Sequence, residues 1–299
     1  MARIAFVGTP QFAVRPLEAL VAAGHEVALV VTREDRRRGR GGSLSPSPVK
    51  EAALRLGLPV SHRVADLLGG APPIELGVVV AYGRLIPASV LATVPMLNLH
   101  YSLLPHWRGA APVERAILAG ETVTGVSIMA LEETLDTGPI YASAAVGIEP
   151  HEHLGPLRER LTEVGTRLLV DLLAGGAEGL PTPRPQEGEP SYAEKIRPEE
   201  LELHWEQPAV LLERVVRLDG AYSAIHGRRL RVLDAVAVRV DEQPPVPPGT
   251  LSGNDVATGS GWLRLIRVQP AGGRAMSIEA FRRGARIEPG TRLGAEREA

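Results

Sequence analysis

The sequence predicts an α/β protein: a Rossmann-like, mostly parallel sheet in the N-terminal part, then a small C-terminal β-barrel (OB-like) domain. Three observations carry this. Apolar runs of strand length alternate with helical segments through residue 133, the pattern of a parallel sheet covered on both faces. A proline-rich stretch then interrupts the chain. Beyond it, short strand patterns are separated by Gly and Asn turns, as in a small all-β domain.

Each element has its own signal. "RIAFVG" (3–8) is a buried strand, and "PQFAVRPLEALVAAG" (10–24) is a helix that stops at Gly24. "EVALVV" (26–31), "LGVVVAY" (76–82), "MLNLH" (96–100) and "GVSIMALEE" (125–133) are further strands, and "AAPVERAILAG" (110–120) is a helix. "VGTPQFA" lacks the G-x-G-x-x-G spacing of a dinucleotide loop and reads as a tight strand-to-helix turn. "TREDRRRGRGGSLSPSPVK" (32–50) reads as one long loop. "GLPTPRPQEGEPSYAEK" (179–195) reads as an extended linker stiffened by polyproline geometry. After it, "RRLRVLDAVAVRV" (228–240) and "GTLSGNDVATGSGWLRLIRV" (249–268) supply the β domain. The expected division is 1–180, a linker over 181–207, and 208–299, with no internal repeat.

Composition excludes several functions. The chain has no cysteine, so a disulfide framework, a thiolate metal site, an iron–sulfur cluster and a cysteine nucleophile are all ruled out. The N-terminal apolar run is short and ends at Gly-Thr-Pro, and no window approaches the roughly 20 apolar residues of a membrane span. A cytoplasmic protein without a membrane partner is expected. An aromatic share of 4% argues against a stacking platform for single strands. Net charge is −2, yet residues 206–299 hold fourteen arginines, no lysine and eleven acids, a net +3. Only Lys50 and Lys195 are lysines. A GC-rich genome or heat adaptation accounts for that bias, and arginine also suits phosphate contacts.

The chemistry concentrates in "NLHYSLLPHWRGAAP" (98–112). On a strand, residues two apart share a face, so Asn98 and His100 point one way and Leu97 and Leu99 the other. The C-terminal ends of strands in such a sheet open onto the ligand crevice. "SLLP" carries two leucines there, and an apolar wall with a few exact polar groups is what a small-molecule site needs. The bland alternative is that Asn98 and His100 merely hydrogen-bond nearby backbone. The third member should be an acid, and "LEETLDTGPIY" offers Glu132, Glu133 and Asp136. Asp136 precedes Thr-Gly, a turn signal after a strand, while the glutamates are expected to face solvent. "DTG" also matches the aspartic-protease tripeptide, but that chemistry needs two facing carboxylates and one copy exists. His151 and His153 lack an accompanying ligand set, so no metal is expected and both are read as surface histidines.

"NLHYSLLPHWRGAAPVERAILAG" followed by "TGVSIMALEETLDTGPIY" resembles the folate-dependent formyltransferases. "FVGTPQFA", "GRGGSLSPSPVK", "VVAYGRLIP", "YAEKI" and "VQPAGGRAMS" extend the resemblance over nearly the whole chain. The Arg-Gly loop and the C-terminal domain select the branch of the family that acts on tRNA. Two departures stand out: His106 replaces the usual Arg before Trp-Arg-Gly, and "RLDGAY" (217–222) lacks the usual prolines.

The resemblance implies that 10-formyltetrahydrofolate gives its formyl group to the α-amine of methionine on initiator tRNA. It implies Asn98, His100 and Asp136 as catalytic residues. Ser102, Leu103, Leu104 and Pro105, with Arg84, Leu85 and Ile86, would hold the folate. Arg40, with Arg38 and Gly41, would meet the tRNA. A monomer is expected, with 1–180 as the catalytic domain and 208–299 as the tRNA-binding domain. Rival readings are formyl transfer to an amino sugar nucleotide or glycinamide ribonucleotide, a 10-formyltetrahydrofolate hydrolase, and a non-enzymatic RNA-binding protein.

Overall fold

A computed structural model describes residues 1–38, 42–69, 73–288 and 290–294. The chain divides into two compact units. Unit 1 comprises 1–113, 123–147 and 158–194, and unit 2 comprises 114–122, 148–157 and 195–299.

The first half of the chain opens with β1 (Arg3–Gly8), α1 (Val14–Ala22) and β2 (Glu26–Val31). Segment 32–50 is not the single loop expected. β3 (Arg36–Arg38) pairs antiparallel with β4 (Ser43–Ser45), and α2 (Pro48–Arg55) already starts inside it. Ser47 explains that start, because its side chain accepts from Lys50 N at 3.0 Å and caps the helix. Then come β5 (Val60–Ser61), β6 (Leu76–Val80), α3 (Ala88–Leu91), β7 (Met96–His100), β8 (Arg108–Gly109) and α4 (Pro112–Ala119). β9 (Val123–Ala130), β10 (Ile140–Gly147), α5 (Leu154–Leu172) and β11 (Tyr192–Ala193) follow.

The main sheet has the order β10-β9-β7-β6-β1-β2-β5. β7 is the strand at which pairing changes hand. It runs parallel to β6 and antiparallel to β9. Ile4, Phe6, Leu97 and Leu99 are fully buried, as strands covered on both faces require. A second apolar cluster gathers Val7, Val79, Tyr82, Ile86 and Met96.

Unit 2 contains α6 (Ala209–Val216), β12 (Tyr222–Ile225), β13 (Arg228–Val238), β14 (Leu251–Ser252), β15 (Asp255–Ala257), β16 (Trp262–Pro270), β17 (Met276–Ser277) and α7 (Ile278–Ala285). Its strands pair antiparallel in the order β12-β13-β16-β15-β14, with β17 on β16. Register shifts between Val232 and Ala235 bend the long β13. Trp205, Leu212, Leu230, Val256 and Leu263 fill the core, and the Trp205 indole N–H is satisfied by Ser223 Oγ at 3.0 Å.

His151 is an exposed surface histidine, as expected, and pairs with Glu213; His153 is less open than expected, with Nδ1 2.8 Å from Asp219 Oδ1 and only 20% of its side chain exposed. That partner holds the His153 pKa above its ordinary value.

Candidate active site

Strand geometry sets the site. Asn98 and His100 share one face of β7, beside Val79 of β6 and opposite Met129 and Ser127 of β9. Because β6 and β7 are parallel, the loops that follow them leave the sheet at the same edge, where open α/β sheets take ligands. β9 runs the other way, with Ala130 opposite Leu97, so its last residue lies at the start of β7. The turn from 131 to 139 therefore has to come back across the face to deliver Asp136. It does so with Asp136 in a left-handed conformation, φ 52°.

The three side chains meet there. Asn98 Nδ2 donates to Asp136 Oδ1 at 3.4 Å, and His100 Nδ1 lies 3.7 Å from Asp136 Oδ2. Oδ2 also accepts from Gly109 N at 2.8 Å. His100 and Asp136 are each only 6% exposed, so their interaction is little screened by water. His100 Nε2 lies 2.9 Å from the Trp107 carbonyl, which can only accept, so Nε2 carries a proton. Glu132 and Glu133 are exposed, as expected.

The loop after β7 is internally braced. Ser102 Oγ donates to His106 O at 2.5 Å, and Ser127 Oγ donates to Ser102 O at 2.8 Å while accepting from Leu104 N at 3.2 Å. Ser102, Leu104 and Pro105 are buried and Leu103 is partly so. Tyr101 donates its hydroxyl to Thr162 Oγ1 at 3.1 Å, and burial pushes its pKa up to about 12. The loop after β6 behaves differently along its length. Ile86 is 9% exposed and belongs to the core, whereas Leu85 is 79% exposed and Arg84 is exposed too. An apolar side chain left open beside a crevice is available to an apolar ligand.

The proline-rich segment contributes what sequence reasoning missed. Ser191 Oγ accepts from Trp107 N at 2.9 Å, Ser191 O accepts from Arg108 N at 2.8 Å, and β11 pairs with β8. Gln186 bonds to both the Asp136 turn and Arg108. Gly109 is required where these segments meet. Its φ is 124°, and a Cβ there would lie 2.7 Å from the Ala193 carbonyl. A lone hydroxyl in the apolar run "GVSIMA" was a readable signal for Ser127. No local signal marks Gln186.

Of the expected tRNA contacts, Arg40 and Gly41 lie outside the described residues, and Arg38 pairs through its backbone with Ser43 in the β3–β4 hairpin. Among the described residues no group of three His, Asp or Glu is placed to hold a metal ion, and no helix is long and apolar enough to cross a membrane.

Comparison with known proteins points one way. The formyl transferase family matches residues 2–173, and the formyl transferase C-terminal domain matches residues 195–286. A methionyl-tRNA formyltransferase from Heliobacterium modesticaldum is 43% identical over 321 residues, covering 98% of this chain and 100% of that protein. A methionyl-tRNA formyltransferase from Ruegeria pomeroyi is 42% identical, covering 97% and 100%. Among solved structures, HypX from Aquifex aeolicus in complex with tetrahydrofolic acid shares the fold with a TM-score of 0.65 at 19% identity. It covers 94% of this chain and 47% of its own.

Proposed function

The chain belongs to the formyl transferase family, and from that premise we propose that it moves a formyl group from 10-formyltetrahydrofolate to the α-amine of methionine on initiator tRNA. The observation that carries the reading is the Asp136 carboxylate within reach of both Asn98 and His100 on one strand face. The folate supplies the formyl group on N10; everything else falls to the chain's own residues.

As an amine adds to a formyl carbon, negative charge grows on the formyl oxygen. Asn98 has two N–H groups on Nδ2, one turned to Asp136, and the other can meet that oxygen. His100 as imidazolium lowers the energy of the same charge. Both ring nitrogens already have partners, so direct donation requires Nε2 to exchange the Trp107 carbonyl for the oxyanion. Asp136 takes the proton that the amine sheds and returns it through water to N10 as the bond between N10 and the formyl carbon breaks, so that tetrahydrofolate leaves. The Ser102–Pro105 loop and the exposed Leu85 and Arg84 form the folate wall, with Ile86 supporting it from the core.

The acceptor assignment rests on the full-length relatives and on charge. Arg40, Arg38 and Gly41 approach the acceptor end, and the arginine-rich C-terminal part meets phosphates. Residues 1–180 act as the catalytic domain and 208–299 as the tRNA-binding domain; of the intervening 181–207, residues 184–193 also brace the active-site loops. One chain holds both parts, so a monomer suffices, and an acceptor from translation assigns the enzyme to the cytoplasm. Incubation with 10-formyltetrahydrofolate and methionine-charged initiator tRNA, scored for formylmethionine, tests this. Absence of formylmethionine with folded protein refutes it.

A further inference from the structure

Gln186 sits 50 residues beyond Asp136 and 78 beyond Arg108, in the segment whose composition suggests nothing more than a spacer. Its side chain makes four contacts. Nε2 donates to the carbonyl oxygens of Asp136 and Gly138, both at 2.8 Å. Oε1 accepts from Arg108 Nε at 3.1 Å and from Arg108 Nη2 at 2.6 Å. Carbonyls only accept and a guanidinium only donates, so the amide can sit only one way round. A carboxamide is the one side-chain group of this length that satisfies both ends.

The segment it grips needs gripping. Asp136 is a non-glycine residue at φ 52°, a conformation that persists only where its surroundings hold it. Gly138 cannot be replaced by a larger residue to stiffen the turn, since a Cβ there would lie 1.9 Å from the Ala130 carbonyl. On the other side, Arg108 leads into Gly109, whose N–H donates to Asp136 Oδ2. Gln186 therefore ties together the backbone that carries the carboxylate and the backbone that binds it. Its hydrogen bonds go to neither Asn98 nor His100.

We propose that Gln186 is a positioning residue for Asp136, and that residues 184–193 are a strap belonging to the active site. The strap bridges Ile140 through Arg184, holds the Asp136 turn through Gln186, and holds Trp107 and Arg108 through Ser191. Its consequence is positional. With the strap in place, Asp136 Oδ2 stands 3.7 Å from His100 Nδ1 and Oδ1 accepts from Asn98 Nδ2; without it the carboxylate withdraws from both. This rests on the reading of Asp136 as the acid that works with His100.

Two variants separate positioning from folding. Gln186→Glu keeps the acceptor for Arg108 but turns an oxygen toward two carbonyls; Gln186→Ala removes both ends. The His100 ring is followed by NMR, its signal assigned by its loss in His100→Asn. In both variants that signal is expected to move from its parental position, because the carboxylate beside Nδ1 is displaced. In formylation of methionyl-tRNA, kcat is expected to fall by about 10²-fold, the scale of an ångström-sized misplacement, with KM for both substrates unchanged. An unmoved His100 signal, or a loss of rate that merely follows a lowered melting temperature, overturns the role of Gln186. Failure of the parent protein to formylate methionyl-tRNA bears on the substrate instead, and leaves the His100 signal to judge Gln186.

Discussion

His100 presents Nδ1 to Asp136 Oδ2 at 3.7 Å while its Nε2 donates to the Trp107 carbonyl at 2.9 Å. The ring is oriented from both sides, and the two residues act as one unit. Asp136→Asn removes the negative charge that faces the ring. It should lower kcat by about 10²–10³, the usual scale for a lost electrostatic stabiliser. Adding His100→Ala should cost little more, because groups that act together do not contribute additively. Two fully additive losses, measured as kcat in a double-mutant cycle, contradict the pairing.

Asn98→Ala should lower kcat by about 10²–10³, the cost of one oxyanion donor, with little change in folate affinity. Steady-state kinetics on a folded variant checks it. A variant with parental kcat removes Asn98 from the mechanism.

Ser127 lies fully buried and joins Ser102 O to Leu104 N. Ser127→Ala leaves both groups buried without their partner, which costs about 1–3 kcal/mol. The Ser-Leu-Leu-Pro loop should loosen, so KM for the folate rises more than KM for tRNA. Denaturant unfolding and kinetics together decide, and a rise confined to the tRNA contradicts the assignment of this loop.

Much of this site was legible in the sequence because strand periodicity is strict. The alternation in "MLNLH" places Asn98 and His100 on one face, and β7 covers 96–100 as read. β10 was not legible: "IYASAAVG" is mostly Ala, Ser and Gly, with one buried residue, so it lacks both the apolar run and the alternation that mark a strand. Nor was the path of Asp136. A turn after a strand was readable, but its return across the sheet face depends on β9 being antiparallel, which no local pattern encodes. Gln186 and Ser191 were hidden for a related reason. Their partners are far away in sequence, and proline-rich composition reports stiffness rather than contacts.

His153 is bonded to Asp219, which raises its pKa above the ordinary value of about 6.5. A raised folded-state pKa stabilises the protein while the ring is charged. That contribution is full below about pH 6.5 and is lost as pH rises through the folded value. His153→Gln should therefore lower the melting temperature most at acidic pH, and the gap from the parent protein should close as the pH rises past that value. A gap that widens with pH reverses the sign and contradicts the pairing.

Arg40→Ala should raise KM for tRNA and reduce the log–log salt slope of binding by about 0.7–0.9, one phosphate contact. Folate affinity should hold. Loss of folate binding instead contradicts the placement.

The most direct test sets the acceptors against one another. With 10-formyltetrahydrofolate fixed, kcat/KM is measured for methionine-charged initiator tRNA, glycinamide ribonucleotide and a 4-amino sugar nucleotide, alongside formate release without acceptor. Methionyl-tRNA is expected to be formylated with by far the highest kcat/KM, with little formate appearing in its absence. A faster reaction with either small acceptor, or rapid formate release alone, contradicts that expectation.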